Sequence, residues 1–210
     1  MEAEFINLTE ENIDSEHLCC IIRSKKPHPG VEAKREWLRE RLKEGHVFRK
    51  LNVKGTAFIE YAPLERAWVP VEGENYVYIY CLWVLGELKG RGYGKQLMEY
   101  CIREAKSGGR SGVCMLGAKK QKNWLSDQAF AKRYGFQTVD ETEDGYELLA
   151  LSFDGSVPRF TDGAHILRPP VSLHIPNDRQ GKAALRCGGH PGAVHRGVFS
   201  GTGKGAAVRF

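Results

Sequence analysis

The chain predicts a mixed α/β domain of α+β type, a central mixed sheet flanked by helices. Three observations point there. A long β-branched and aromatic run, "NYVYIYCLWVL" (75–85), leads through a glycine-rich turn into the amphipathic stretch "GKQLMEYCIREAKSGG" (94–109). A second short apolar run, "GVCMLGA" (112–118), follows at once and completes one β-α-β unit. On either side lie alternating runs that read as antiparallel hairpins, 46–62 and 136–153.

The elements follow in order. "EFINLTEEN" reads as a strand entering a polar turn, and "SEHLCCII" as a short helix with Ser15 as its N-cap. "VEAKREWLRERLKEG" sets Trp37, Leu38, Arg41 and Leu42 at helical spacing, with Gly45 as a C-cap. "HVFRKLNVKGTAFIEYA" folds back around Asn52 to Gly55. The run 75–85 is the strongest strand, because branched and aromatic side chains pack well on a pleated surface. In the following helix Leu97, Cys101 and Ala105 share a face, flanked by Met98 and Ile102. "NWLSDQAFAKRYG" reads as a further helix, and "FQTVDETEDGYELLALSF" as a closing hairpin turning at Asp144-Gly145.

The 210 residues suffice for one well-packed domain with length to spare. At 41% hydrophobic and 27% charged, the composition is that of an ordinary globular chain. The longest apolar stretch, Val77 to Leu85, is far too short to span a bilayer, and "MEAE" lacks the basic start of a secretory signal. The six cysteines show no C-x-x-C pair and no metal-ligand spacing, so free thiols, no metal and a cytoplasmic location are expected. Charge is uneven. Residues 155–210 carry eight Lys/Arg against Asp162 and Asp178, a net +6 that leaves −1 for residues 1–154 of the chain's +5. That tail also holds ten of the 24 glycines and no Glu, Tyr, Trp or Met. Such a segment buries too little apolar surface to offset its ordering entropy. The expected organisation is therefore a body, 1–154, and a poorly ordered or atypical basic tail, 155–210. The tail lacks the interleaved aromatics of a stacking platform, which argues against nucleic acid.

The turn "KGRGYGK" carries the chemistry. Gly90, Gly92 and Gly94 follow a strand and open a helix, where a bare backbone can approach a ligand and successive N–H groups can converge on an anion. The helix dipole adds its positive end, and Lys89, Arg91 and Lys95 add mobile cations. This suits a pyrophosphate. It is not a P-loop, because Gly94-Lys95 is followed by Gln96. A dinucleotide fold would end the next strand on an acid, and here that strand ends on Gly117-Ala118.

The segment Val84 to Gly94 resembles the acyl-CoA signature of the GNAT superfamily of N-acetyltransferases, Val-x-x-x-x-Arg/Gln-Gly-x-Gly-x-Gly/Ala. Val84 fills the strand position, Lys89 stands for Arg/Gln, and Gly90, Gly92 and Gly94 match. "RYGF" is similar to the family's helix-ending Gly-Phe, here Gly135-Phe136, and the element order fits from about Glu4 to Phe153. The stretches "EHLCC", "EWLRERLKEGHVFRKL" and "WLSD" are similar to a prokaryotic branch that usually carries a small extra C-terminal domain. In the tail, "LHIPND" and "GAVHRGVF" are only isolated strand-like fragments; the abrupt change of composition also fits an altered reading frame after about residue 160.

The resemblance implies a GNAT fold, with a splayed pair of parallel strands, and acetyl transfer from acetyl-CoA to an amine by direct attack in a ternary complex. It implies that pantetheine lies between the strands at 82–84 and 112–117, pairs with backbone near Leu82 and Val84, and meets a carbonyl-polarising N–H there. The coenzyme turn would be Lys89, Gly90, Arg91, Gly92, Tyr93, Gly94 and Lys95, with Lys119, Lys120 and Lys122 near the phosphates. The family often places a proton-donating tyrosine four residues before the Gly of Gly-Phe; here that position is Ala131. Tyr134, three residues further along the helix, is the remaining candidate acid, and its other reading is a packing residue. Glu60 and Glu87 are candidate bases. Tyr76, Tyr78 and Tyr80 would shape the acceptor pocket, while His17, His28 and His46 show no partner spacing and read as structural or exposed. Cys114, inside a buried strand, is expected to be inert. A monomer or homodimer is expected. A GNAT-like domain that binds acyl-CoA without turnover, as a sensor or scaffold, remains open because position 131 is alanine.

Overall fold

The computed structural model describes residues 4–18, 29–53, 57–120, 122, 125–167 and 207–209. β1 (Phe5–Asn7) is followed by α1 (Pro29–Leu42), β2 (Val47–Leu51), β3 (Ala57–Pro63), β4 (Val71–Glu72) and β5 (Tyr76–Val84). Then come α2 (Tyr93–Ser107), β6 (Gly112–Ala118), α3 (Gln128–Lys132), β7 (Gln137–Glu141) and β8 (Tyr146–Ser152). The short strands β9 (Arg159–Phe160), β10 (His165–Leu167) and β11 (Ala207–Arg209) close the chain. The seven-stranded main sheet has the order β1-β2-β3-β5-β6-β8-β7, and its one parallel pair is β5–β6. That pair needs a crossover, and α2 supplies it.

The sheet is covered on both faces. α2 lays Leu97, Met98, Cys101 and Ala105 against Ile59, Val77, Ile79, Val113 and Met115. On the opposite face α1 packs Trp37 and Leu38 against Phe48, Phe58 and Cys81. α1 stops as the sequence suggests: Gly45 sits at φ +86°, where a side chain would be strained, and its N–H donates to the Leu42 carbonyl. Cys81, Cys101 and Cys114 are buried, and burial pushes the Cys101 and Cys114 thiols well above their ordinary value.

Two readings need adjustment. The helix foreseen from Asn123 begins only at Gln128, because the Asp127 carboxylate accepts the Phe130 N–H at 3.1 Å and so caps the helix there. Residues 15–18 form turn and irregular chain, and the rest of the helix foreseen over 15–22 lies outside the described residues, as do 54–56 of the hairpin turn.

β5 carries a feature that strand periodicity alone did not reveal. Glu60 opposes Cys81 and Tyr61 opposes Ile79, so Tyr80 has no residue across from it on β3. This extra residue is a β-bulge, and it switches the alternation. Val77 and Ile79 face α2, and beyond the bulge Leu82 and Val84 do so. Tyr76, Tyr78 and Tyr80 point to the other face, joined there by Cys81 and Trp83.

Apolar packing runs past the boundary expected at residue 154. β9 pairs with β4, and Phe160, Ala164 and Ile166 are buried with Leu64, Val69, Val71 and Tyr78. The Asp140 carboxylate accepts the Phe160 N–H at 2.7 Å, and the Pro70 carbonyl accepts the Thr161 N–H. β11 pairs in parallel with β10, and residues 168–206 of the expected tail lie outside the described residues. A chain ending at Ser156 would lose the buried Phe160 and Ile166 side chains, each worth about 1.5–3 kcal/mol. Compared by thermal melting, it should be less stable than a chain ending at Leu167 by about 3 kcal/mol or more.

Candidate active site

The bulge opens the sheet. β5 and β6 pair only from Tyr76–Gly112 to Ile79–Met115, yet β5 continues to Val84 and β6 to Ala118. Their diverging ends are served by one segment, Ser126 to Gln128, at the start of α3. The Leu82 N–H donates to the Ser126 hydroxyl at 3.0 Å. Gln128 accepts from the Ala118 N–H at 2.8 Å and donates to the Ala118 carbonyl at 2.6 Å. Leu82 thus turns its N–H toward the gap, and strand alternation turns the Val84 N–H the same way. Both are half-buried on the α2 side.

The glycine turn sits at the mouth of that gap. Gly90 and Gly92 each have φ +80°, a left-handed conformation that side chains rarely adopt. Gly94 stands 3.5 Å, measured to a hypothetical Cβ, from the Val84 Cγ2, which seats the start of α2 close to β5. Among the described residues, none of the N–H groups from Gly90 to Lys95 finds a hydrogen-bond acceptor. The Lys89 N–H differs, since it donates to the Gly86 carbonyl at 3.2 Å. Lys89 and Arg91 are exposed, and Lys95 lies 3.7 Å from Glu99. Tyr93 packs its ring edge against Phe5 at 6.2 Å, leaving its backbone to the turn. A run of unspent donors at the positive end of a fifteen-residue helix suits an anion.

The candidate acids and bases fall apart in space. Glu87 is exposed on the 3-10 turn Gly86–Leu88 after β5. Tyr134 packs against Phe130 at 5.2 Å on the α2 side, and its hydroxyl is pushed up mainly by desolvation. Ala131 is fully buried beside it. Lys119 is paired with Glu141 at 2.5 Å, and Lys122 lies over the Tyr146 ring.

Glu60, the other candidate base, is deeply buried. It is 1% exposed on β3; Lys34 reaches one oxygen at 2.6 Å and His46 Nε2 the other at 3.1 Å. Around His46 lies an aromatic group: Tyr80 stacks on it at 5.2 Å, and Trp37 meets it edge-on at 5.1 Å. Trp37 also meets Trp68 and Tyr80 edge-on, each at 6.4 Å. The Tyr80 hydroxyl accepts the Trp68 N–H, and the Arg41 guanidinium covers the Trp68 ring. Burial holds the His46 imidazole below its ordinary value, against the hydrogen bond and charge of Glu60, with Lys34 and Arg41 adding to the lowering. Lys34, His46, Trp37 and Trp68 were not foreseen as a group, because three separate segments supply it with no shared spacing.

These features fit the comparisons. The chain belongs to the acetyltransferase (GNAT) family, whose model matches residues 11–136. It is 39% identical over 151 residues to the uncharacterized N-acetyltransferase YoaP of Bacillus subtilis (strain 168). That match covers 72% of this chain and 60% of the relative, so the chain spans less than two thirds of that protein's length. Among solved structures, an N-acetyltransferase from Staphylococcus aureus Mu50 covers 72% of this chain and 99% of its own, at 15% identity and TM-score 0.52. A GNAT-family acetyltransferase from the same organism covers 72% of this chain and 100% of its own, at 13% identity and TM-score 0.50. These likenesses establish the fold, including the mixed sheet with its parallel pair. No helix among the described residues is long and apolar enough to cross a membrane.

A buried imidazole with a lowered pKa has a consequence for stability. As pH falls, the unfolded chain takes up the His46 proton first, near the ordinary value of about 6.5. The contribution is therefore present above that pH and lost between it and the lower folded-state value. The melting temperature should fall more steeply from pH 7.5 to 5.5 in the native chain than in His46→Gln, as read by calorimetry.

Proposed function

We propose that the protein is an acetyl-CoA-dependent N-acetyltransferase that passes the acetyl group to an amine by direct attack in a ternary complex. The observation that carries this reading is the gap between β5 and β6, opening in line with the unspent N–H groups of Gly90 to Lys95. Those groups hold the pyrophosphate, with Lys89, Arg91 and Lys95 supplying charge. Pantetheine runs along the Leu82–Val84 edge of β5. The thioester carbonyl lies at the Leu82 N–H, where an aimed donor stabilises the charge that grows on oxygen during attack. Ser126, on that N–H in this structure, either yields to the thioester or presents its own hydroxyl to it.

The departing thiolate takes a proton from water. Tyr134 is a packing residue in this reading, since its ring belongs to the α2-side core. Glu87 is a surface carboxylate. The body that performs the reaction extends to about Leu167, with the β9 and β10 segments bracing the sheet behind the site.

The second reading, an acyl-CoA sensor or scaffold without turnover, is favoured by one observation: Ala131 is fully buried where relatives of this family often carry a tyrosine. Acetyl-CoA turnover against a panel of amines separates the two readings. Turnover with any amine establishes the transferase; tight acetyl-CoA binding with no turnover across the panel supports the sensor.

Two variants test the assignments. Gly92→Asp sets a negative charge beside the pyrophosphate in a left-handed position, and acetyl-CoA binding measured by calorimetry should be lost. Tyr134→Phe should keep most of the turnover; a fall of about two orders of magnitude, usual on removing a general acid, would make Tyr134 the proton donor.

A further inference from the structure

We infer that the acceptor amine binds against Trp37, Trp68 and Tyr80, on the sheet face opposite α2, and that His46 takes its proton. This rests on the acetyl-CoA reading above and adds to it the acceptor's site, its chemical class and the base.

Position supplies the first argument. Tyr80 is the bulged residue, so it stands where β5 leaves β6, two residues from the Leu82 N–H in the gap. Its side chain leaves the sheet on the face away from α2 and stacks on His46. Coenzyme held at the N-terminus of α2 and an amine held at Tyr80 thus reach the gap from opposite faces.

Chemistry supplies the second. Glu60 accepts from His46 Nε2, so that nitrogen carries the imidazole proton and Nδ1 is left with its lone pair. Among the described residues nothing hydrogen-bonds Nδ1. Lys34 pairs with Glu60 at 2.6 Å, and Glu60 in turn steadies an imidazolium once it forms. The charged and titratable groups facing His46 are Lys34 and Arg41 from α1, Glu60 from β3 and Tyr80 from β5, with Glu44 paired to Arg41. With burial foremost among their effects, the imidazole is neutral near pH 7 and able to accept a proton.

An unspent donor supplies the third. Trp37 is 8% exposed, yet its indole Nε1 is buried without a hydrogen-bond partner. A buried orphan donor is costly, and a ligand that brings an acceptor to it would remove that cost. Trp68, by contrast, leaves 43% of its surface exposed beside it.

The site's charge decides the ligand class. Its carboxylates, Glu60 and Glu44, are already held by Lys34 and Arg41, and Arg41 covers one face of Trp68. A second ammonium would find no unspent carboxylate among the described residues lining the site, so polyamines fit poorly. The ligand that fits is a small monoamine on a flat apolar body, such as an arylalkylamine, with a polar atom for the Trp37 N–H. In the reaction the amine enters as its free base, its nitrogen lone pair forms the C–N bond, and one of its protons passes to His46. The C–S bond breaks with its electron pair on sulfur. His46 then releases its proton to solvent, and the thiolate takes one up, giving amide and free thiol.

The experiment uses the full chain with acetyl-CoA, and 2-phenylethylamine, tyramine and spermidine as probes. His46→Gln keeps an N–H for Glu60 while removing the Nδ1 base. It should lower kcat at least 100-fold, leave the acetyl-CoA Kd and the melting temperature at pH 7.5 near native, and abolish the acidic limb of the kcat/KM profile. Trp68→Ala should raise KM for the aryl amines about tenfold with little change in kcat. Native kcat/KM should favour the aryl amines over spermidine at least tenfold. A His46→Gln enzyme within threefold of native with an unchanged pH profile would remove the base assignment, and a preference for spermidine would remove the ligand class. Failure of the native chain to bind acetyl-CoA would instead sink the underlying transferase reading, which calorimetry detects before any acceptor is added.

Discussion

The structure turns on one unmatched residue. Tyr80 has no counterpart on β3, and by adding a residue to β5 there it bends the strand away from β6 after Ile79. A sheet interior with unpaired edges would ordinarily be costly, because each exposed N–H and C=O needs a partner. The chain answers with side chains from one segment: Ser126 serves Leu82 and Gln128 serves Ala118. These bonds make the edges of the gap polar. A Cβ at Gly117 would come within 2.9 Å of the Gln128 Oε1 and 3.1 Å of Leu149, so the bare backbone there is part of the same fit.

The same bulge explains why the two faces of the sheet differ in character. Ahead of it, alternation sends Val77 and Ile79 under α2 and the tyrosines to the other side. The shift past Tyr80 brings Leu82 and Val84 back under the start of α2, beside Gly94. It also sets Cys81 opposite Glu60, in the layer beneath α1. Here a buried ion pair replaces apolar packing. Such pairs seldom add stability over a well-packed apolar group, and losing one partner costs about 3–5 kcal/mol. Lys34, Glu60 and His46 at this depth therefore do more to fix the orientation of the imidazole than to add stability.

Much of this was legible in the sequence, and the part that was not has a physical cause. The β-α-β unit was readable because its strand, turn and helix are adjacent in the chain and each carries its own period. The glycine turn was readable for the same reason: Gly90, Gly92 and Gly94 are two residues apart, and local conformation alone demands two of them. The Lys34–Glu60–His46 group was not, since its members are 26 and 14 residues apart along the chain and meet only through tertiary packing. A lone histidine has no sequence signature when its partner comes from another strand. The bulge left no signal either, as "YVYIYCLWV" is apolar at every position and hides a one-residue shift of face.

The end of the body shows the opposite error, in which composition spoke too strongly. The change near Gly155 is real in charge and glycine content, yet "RFTDGAHI" still holds Phe160, Ala164 and Ile166, spaced so that all three bury. Two hydrogen bonds, Phe160 N–H to the Asp140 carboxylate and Thr161 N–H to the Pro70 carbonyl, fix that segment against β7 and the loop before β4. The segment it meets runs from Leu64 through Val69 to Val71, and Trp68 lies within it. Packing behind the sheet and the aromatic group around His46 thus share one loop. The residues that close the core after Phe160 pack on Val69 and Val71, the near neighbours of Trp68 in the chain, and this links the packing of β9 and β10 to the loop that carries Trp68.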